Sequence, residues 1–272
     1  MAVKPQLGAV QETLLLPLIG RAWVSRKHPT FFTDEKAVSI YKQLEFDKKK
    51  AKRTMQEGGM LGMAVRALKF DKAIKDFVYL HPEATIVNVG AGLDTAFWRV
   101  DNGKIKWIDL DLPDSMALRD LILPPSDRNP HIAKSVFDLS WIDDIGDVSK
   151  GLFIQIPGVL PYIEQDIVET FFREVPDRLP GAHIIFDTVS EWGKPFITQG
   201  IKRSGMSKAV LRWGINDART LVKLNEKIQI VRCQPFFEDI QRKSAFSTFT
   251  VLTMNVNDRL KLSQIMHLKF KE

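Results

Sequence analysis

Two glycines and a set of aspartates carry the chemistry that this chain offers. Gly90 and Gly92 follow the β-rich run Val87-Asn88-Val89. Glycines just past a strand let the backbone turn tightly and approach a ligand with no Cβ in the way, which is how open α/β sheets meet nucleotides. A Gly-x-Gly pair is equally compatible with a plain structural turn, so its surroundings decide. Nineteen positions after Gly90 comes Asp109, followed by Leu110 and Asp111, at the end of a second β-rich run. A carboxylate there can accept hydrogen bonds from both ribose hydroxyls. Asp109 and Asp111 share one side of a strand, and the alternative role for Asp111 is to cap the helix that opens at Pro113.

What the turn lacks selects the ligand. A dinucleotide needs a third glycine near position 95 for close packing of helix on strand, with a phosphate over the helix N-terminus. Thr95 stands there instead. Asp94 beside the turn would repel a pyrophosphate, whereas a cofactor carrying a sulfonium and an ammonium group is compatible with a carboxylate. The pattern favours S-adenosyl-L-methionine over NAD, seated on Gly90-Ala91-Gly92-Leu93-Asp94-Thr95. At the end of a third run, Asp138-Leu139 offers a carboxylate for the adenine amino group and an apolar neighbour for the ring face. The alternative for Asp138 is the N-cap of a following helix.

The elements that must position these residues alternate strand-like and helix-like periods from Thr85 onward, the pattern of a mostly parallel sheet with helices on both faces. Seven β runs are expected: Thr85–Ala91, Ile105–Asp111, His131–Leu139, Gly151–Leu160, His183–Ser190, Ile228–Phe236 and Gln264–Phe270. Helices are expected over Pro113–Leu123, Glu164–Leu179 and Phe246–Leu262. Before Thr85 the chain shows helical periodicity, at Ala37–Leu44 and Met60–Leu80, and no strand pattern. We therefore expect one domain over residues 1–272, with a helical cap over 1–84 and the α/β core over 85–272. The glycine- and cation-containing stretch 191–216, placed after the fifth run, reads as a lid. Its cations are Lys194, Lys202, Arg203, Lys208 and Arg212.

Composition narrows the partners. The 272 residues are 44% hydrophobic and 26% charged, enough apolar content for a full core. The 39 basic residues exceed the 33 acidic ones by a margin read as mild solvation, and the cations are spread along the chain rather than gathered into an aromatic-interleaved nucleic-acid motif. Cys233 is the single cysteine, so a disulfide within the chain and a cysteine-based metal cluster are both ruled out. The apolar stretch Leu14-Leu15-Leu16-Pro17-Leu18-Ile19 is too short to span a bilayer, and no cleavage signal accompanies it. A soluble cytoplasmic protein with no metal, nucleic-acid or membrane partner is the expectation.

Over most of its length the chain resembles the leucine carboxyl methyltransferase family, which includes the phosphatase methyltransferases and the bacterial polyketide O-methyltransferases. The resemblance rests on Val87 to Thr95 with Phe97-Trp98-Arg99, on Asp109-Leu110-Asp111-Leu112-Pro113, on Asp138-Leu139 and on Gly158-Val159-Leu160-Pro161-Tyr162. It implies a Rossmann-like class I methyltransferase fold. It also implies a cofactor site drawn from Gly90, Ala91, Gly92, Asp94, Asp109, Leu110, Asp111, Asp138, Leu139 and Pro157. Gly62-Met63-Ala64-Val65-Arg66 is similar to the family segment whose arginine pairs with the methionine carboxylate, so the resemblance makes Arg66 the carboxylate clamp. A guanidinium suits that role because its planar fork holds a carboxylate in two bonds. One departure stands out: Pro157 occupies the place where the family usually has an acidic residue, and Asp187 could compensate for it.

Methyl transfer from a sulfonium is an in-line displacement, so the protein mainly positions the acceptor oxygen and excludes water. A carboxylate acceptor needs no base. A hydroxyl acceptor needs proton removal, for which Tyr162, Asp187, Glu191 and His183 are candidates without a distinguishing spacing. Trp192 and Trp213 could shape an aromatic pocket or serve the core. The expected activity is S-adenosylmethionine-dependent O-methylation of a small-molecule carboxylate or hydroxyl, with polyketide-like acceptors suggested by the resemblance. A catalytically impaired cofactor binder and a protein carboxyl methyltransferase are the alternatives.

Overall fold

The first strand explains the architecture. Thr85–Val89 (β1) is buried at every position, as a central strand covered on both faces must be. Its alternating side chains divide between two cores: Val87 and Val89 join Ile108, Leu110 and Ile154 on one face, while Ile86 joins Trp107, Phe153 and Ile185 on the other. The computed structural model describes residues 9–44, 56–203, 210–240 and 245–272. Around β1 stand Lys106–Asp111 (β2), His131–Ala133 (β3), Leu152–Ile156 (β4), His183–Val189 (β5), Ile228–Pro235 (β6) and Ser263–Phe270 (β7). They form one sheet in the order β3-β2-β1-β4-β5-β7-β6. Only β7 runs against its neighbours, pairing antiparallel with both β5 and β6. The strand order reverses between β1 and β4, and in such sheets the crevice beyond the carboxyl ends at that reversal is where ligands bind.

Helices cover both faces. Glu57–Leu80 buries Val65, Phe70, Ile74, Phe77 and Val78 against one face. Gln165–Arg178 buries Val168, Phe171, Phe172 and Val175, spaced i, i+3, i+4 and i+7, against the other. Before β1 lie Ala9–Lys27 (α1), Glu35–Gln43 (α2) and that Glu57–Leu80 helix (α3), with no strand element among the described residues. Asp34 caps α2, accepting the Ala37 N–H at 2.9 Å. Ala96–Val100 (α4) follows β1, and Pro113–Ile122 (α5) follows β2. Among the described residues no helix is long and apolar enough to cross a membrane.

Two expected strands stop well short of their sequence runs. The third stops at Ala133 because residues 135–141 turn on themselves: the Asp138 N–H bonds the Ser135 carbonyl, and the Trp141 indole donates to the Val136 carbonyl at 2.9 Å. The fourth stops at Ile156 because Pro157 has no N–H for the ladder and Gly158 adopts φ +69°.

Candidate active site

The glycine turn sits at the carboxyl end of β1, beside the reversal of strand order. Gly90 has φ +64° and Gly92 φ +40°, and the Gly90 N–H donates to the Leu110 carbonyl at 2.8 Å. A Cβ on Gly90 would collide with Val159, and one on Gly158 would drive into the Arg66 guanidinium. Glycine at both positions thus allows the loops to pack directly against Val159 and Arg66. Asp111, the last residue of β2, accepts the Gly92 N–H on one oxygen and the Leu112 N–H on the other, both at 2.7 Å. Its side chain does not cap α5, whose N-cap is Leu112. Burial pushes the Asp111 carboxyl up, against the pull of the two N–H donors.

Asp109 has a different place from the one its spacing suggested. It is fully buried and accepts from Asn88 at 2.7 Å, Trp107 at 3.0 Å, Asn129 at 2.8 Å and Arg119 at 2.6 Å. Burial would raise its pKa, but Arg119, His131 and the Asn129 and Asn88 amides outweigh that and bring it to about 2. Asp109 is therefore not a ribose ligand: two residues inside the strand end, it is covered by α5, and only Asp111 reaches the rim. Gln155 donates to Asn88 at 2.8 Å, so a buried polar chain links β4, β1 and β2 beneath the turn. Leu110 and Ala91 are likewise buried, and Leu110 serves the turn through its carbonyl rather than its side chain.

Asp94 is turned toward arginines. One oxygen accepts the Thr95 N–H at 2.7 Å and lies 3.6 Å from Arg21 and 3.8 Å from Arg99. Behind it, buried Asp34 receives Arg21 at 3.1 Å, Arg99 at 2.7 Å and the Thr95 hydroxyl at 2.6 Å. Burial raises the Asp34 carboxyl, yet Arg99 and Arg21 overcome it and hold the group below the usual range. Arg99 also forks onto Asp71 at 2.7 and 2.9 Å. Arg119, Arg21, Arg99, Asp34 and Asp71 are site-supporting residues that the sequence reading missed. Thr95 was the available signal, since its hydroxyl occupies the place of an expected glycine.

Arg66, on α3, meets the site from the far side. Its Nη1 donates to Asp187 at 3.2 Å and its Nη2 to the Met63 sulfur at 3.4 Å. The other Asp187 oxygen accepts the Gly158 N–H at 2.5 Å, so the carboxylate absent at Pro157 reaches the same loop from the end of β5. Tyr162 is 39% exposed; burial of its phenol and the Asp187 charge raise its pKa, with Arg66 opposing.

Glu191 is exposed and pairs with Lys194 at 2.8 Å. Asp138 is exposed as well and accepts the Ser140 N–H at 3.1 Å, while Leu139 packs against the core. His183 lies away from the site, at the amino end of β5, with its ring 3.0 Å from His267. Trp213 belongs to the core against Phe172 and Phe186, whereas Trp192 is 45% exposed. The lid stretch contains a helix over Lys194–Arg203 and is held at its far end by Trp213 and Arg212 N–H bonds to the Pro161 carbonyl. Arg212 is paired with Glu164, and Lys208 lies outside the described residues.

Comparison with known proteins adds a family. The model of the leucine carboxyl methyltransferase family matches residues 14–175. The tetracenomycin polyketide synthesis O-methyltransferase TcmP of Streptomyces glaucescens is 29% identical over 219 residues, 79% of each chain. Among solved structures, a methyltransferase homologue from Thermobifida fusca YX superposes with a TM-score of 0.62 at 12% identity, covering 94% of both chains. A SAM-dependent methyltransferase from Anabaena variabilis ATCC 29413 superposes with a TM-score of 0.51 at 10% identity, covering 74% of this chain and 83% of that one. At these identities the structural likeness speaks for the fold alone.

Proposed function

This chain belongs to the leucine carboxyl methyltransferase family, and from that premise we propose that it is an S-adenosylmethionine-dependent O-methyltransferase that esterifies the carboxylate of a small aromatic, polyketide-like acid. The residues fit the cofactor: the glycine turn at the carboxyl end of β1 carries Asp111 on its Gly92 N–H, and the Gly158 loop lies against the Arg66 guanidinium, so an acceptor for ribose hydroxyls and a cationic fork flank the reversal of strand order. In this reading Asp111 holds the ribose hydroxyls, Asp138 and Leu139 flank the adenine, and Arg66 takes the methionine carboxylate. A guanidinium has five donors, so the bonds to Asp187 and Met63 leave room for a bidentate carboxylate. When bound, the cofactor supplies a methyl group on a positively charged sulfur.

One observation favours a carboxylate acceptor over a hydroxyl. The candidate bases among the described residues are each committed elsewhere: Asp187 to Arg66 and the Gly158 N–H, Glu191 to Lys194 at the surface, His183 to the far end of its strand, and Tyr162 has its phenolate disfavoured by burial. An acceptor that is already anionic needs no base. Catalysis then consists of holding the acceptor oxygen in line and keeping water out. Exposed Tyr162 and Trp192 provide aromatic surface for a flat acid, with the Lys194–Arg203 helix that follows Trp192 as its lid. Asp187 takes over the acidic role that Pro157 cannot fill, which argues for an active enzyme rather than an impaired homologue. With methyl-labelled cofactor and a polycyclic aromatic acid that also bears phenols, label is expected in a base-labile methyl ester. Label found only in base-stable ethers would overturn the carboxylate reading.

A further inference from the structure

The peptide carbonyls of the glycine loop have unusual partners. Arg119, from α5, donates the two hydrogens of Nη1 to Gly92 and Asp94 at 2.9 Å each, with the Ala91 carbonyl a shared third contact at 3.4 Å that also accepts the Asp94 N–H at 2.7 Å. Arg21, from α1, takes the remaining one, donating Nη2 to the Leu93 carbonyl at 2.9 Å. Four consecutive carbonyls are thus held by two guanidinium groups that arrive from different helices. Both arginines are buried, and each is anchored behind the loop by a buried carboxylate, Arg119 by Asp109 at 2.6 Å and Arg21 by Asp34 at 3.1 Å. A peptide unit is planar, so fixing the carbonyls of residues 91–94 also fixes the N–H directions of residues 92–95.

We propose that Arg21 and Arg119 are positioning residues that hold the loop in its cofactor-binding conformation before any ligand arrives. The proposal rests on the cofactor reading above. A turn with two glycines at positive φ has many conformations open to it, and a ligand that had to order it would bind more weakly. Charge balance alone does not explain the geometry: Asp109 takes the Arg119 Nη2, and the Nη1 goes to the loop. Arg119 is a poor test position, because losing it leaves Asp109 buried and uncompensated. Arg21 is a better one, since Asp34 retains Arg99, the Thr95 hydroxyl and the Ala37 N–H without it.

Hydrogen exchange on the ligand-free parent, Arg21→Lys and Arg21→Met separates positioning from general support of the fold. In the parent, the amides of residues 92–95 should already be protected without ligand. In Arg21→Met they should exchange roughly tenfold faster while β1 and β4 amides stay unchanged, with Arg21→Lys in between. Saturating S-adenosylhomocysteine should erase the difference, and its affinity should fall about tenfold in Arg21→Met, the cost of ordering the loop on binding. An unprotected loop in the ligand-free parent overturns the proposal, and so does unchanged loop exchange in a folded variant. Faster exchange spread equally through β1 and β4 assigns Arg21 a merely structural role. The parent comparison needs no variant to fold. If S-adenosylhomocysteine does not bind the parent, the cofactor reading fails separately, and the ligand-free exchange still decides whether the arginines hold the loop.

Discussion

Three charged side chains within one site answer to different physical demands, and substitution separates them. Asp109 is a buried partner of Arg119, so Asp109→Ala should cost about 3–5 kcal/mol of stability, as breaking a buried ion pair does, and be read as a fall in the denaturant midpoint. Asp111→Asn should cost about 1–3 kcal/mol of stability, because an amide can accept only one of the Gly92 and Leu112 N–H bonds, and should weaken S-adenosylhomocysteine and methylthioadenosine alike, by about tenfold, because both carry the ribose. Arg66→Ala should weaken only the ligand that has an amino-acid carboxylate, by about ten- to hundredfold, with Arg66→Lys milder. Equal weakening of both ligands in Arg66→Ala would assign that arginine to the fold. Spacing could place a carboxylate near the ribose but could not choose between Asp109 and Asp111. The two share a strand face, and the choice depends on which one α5 covers, a fact of tertiary packing.

At the scale of elements, seven strands and the main helices were legible because each carries a period of two or of 3.6 residues. What failed to show were strand ends decided by turns, such as the stop at Ala133. A second element-scale feature lies where β5 pairs with β7. Burial pushes His183 and His267 down to about 4, with Lys269 adding to the first and His183 to the second. Their unfolded value is near 6.5, so the folded state binds fewer protons than the unfolded chain between those limits. The stability these neutral rings provide is fully present above about pH 6.5 and is lost as the pH falls toward 4. Thermal unfolding should therefore drop between pH 7 and pH 4.5, and the drop should shrink when His183 and His267 are both replaced by Phe. An identical pH dependence in that double variant would mean that other groups carry the effect.

Across the whole molecule, the segment before β1 does more than cover the sheet. Through Arg21, Asp34 and Asp71 it reaches the helix and the turn that follow β1, joining residues 28 to 72 positions apart in sequence. No periodicity announces such pairs, which is why the helices were legible and their electrostatic task was not. The glycine turn, Asp111 and the Gly158 loop that packs on Arg66 lie at the carboxyl ends of the strands beside the sheet reversal, and the central claim is that S-adenosylmethionine binds there. Titration calorimetry of the parent protein with S-adenosylhomocysteine, run beside NAD and repeated with Gly90→Val, tests it most directly. One S-adenosylhomocysteine per chain, no heat from NAD, and loss of binding in a folded Gly90→Val protein are the expected results. NAD binding without S-adenosylhomocysteine binding, or an unchanged affinity in Gly90→Val, would contradict the claim.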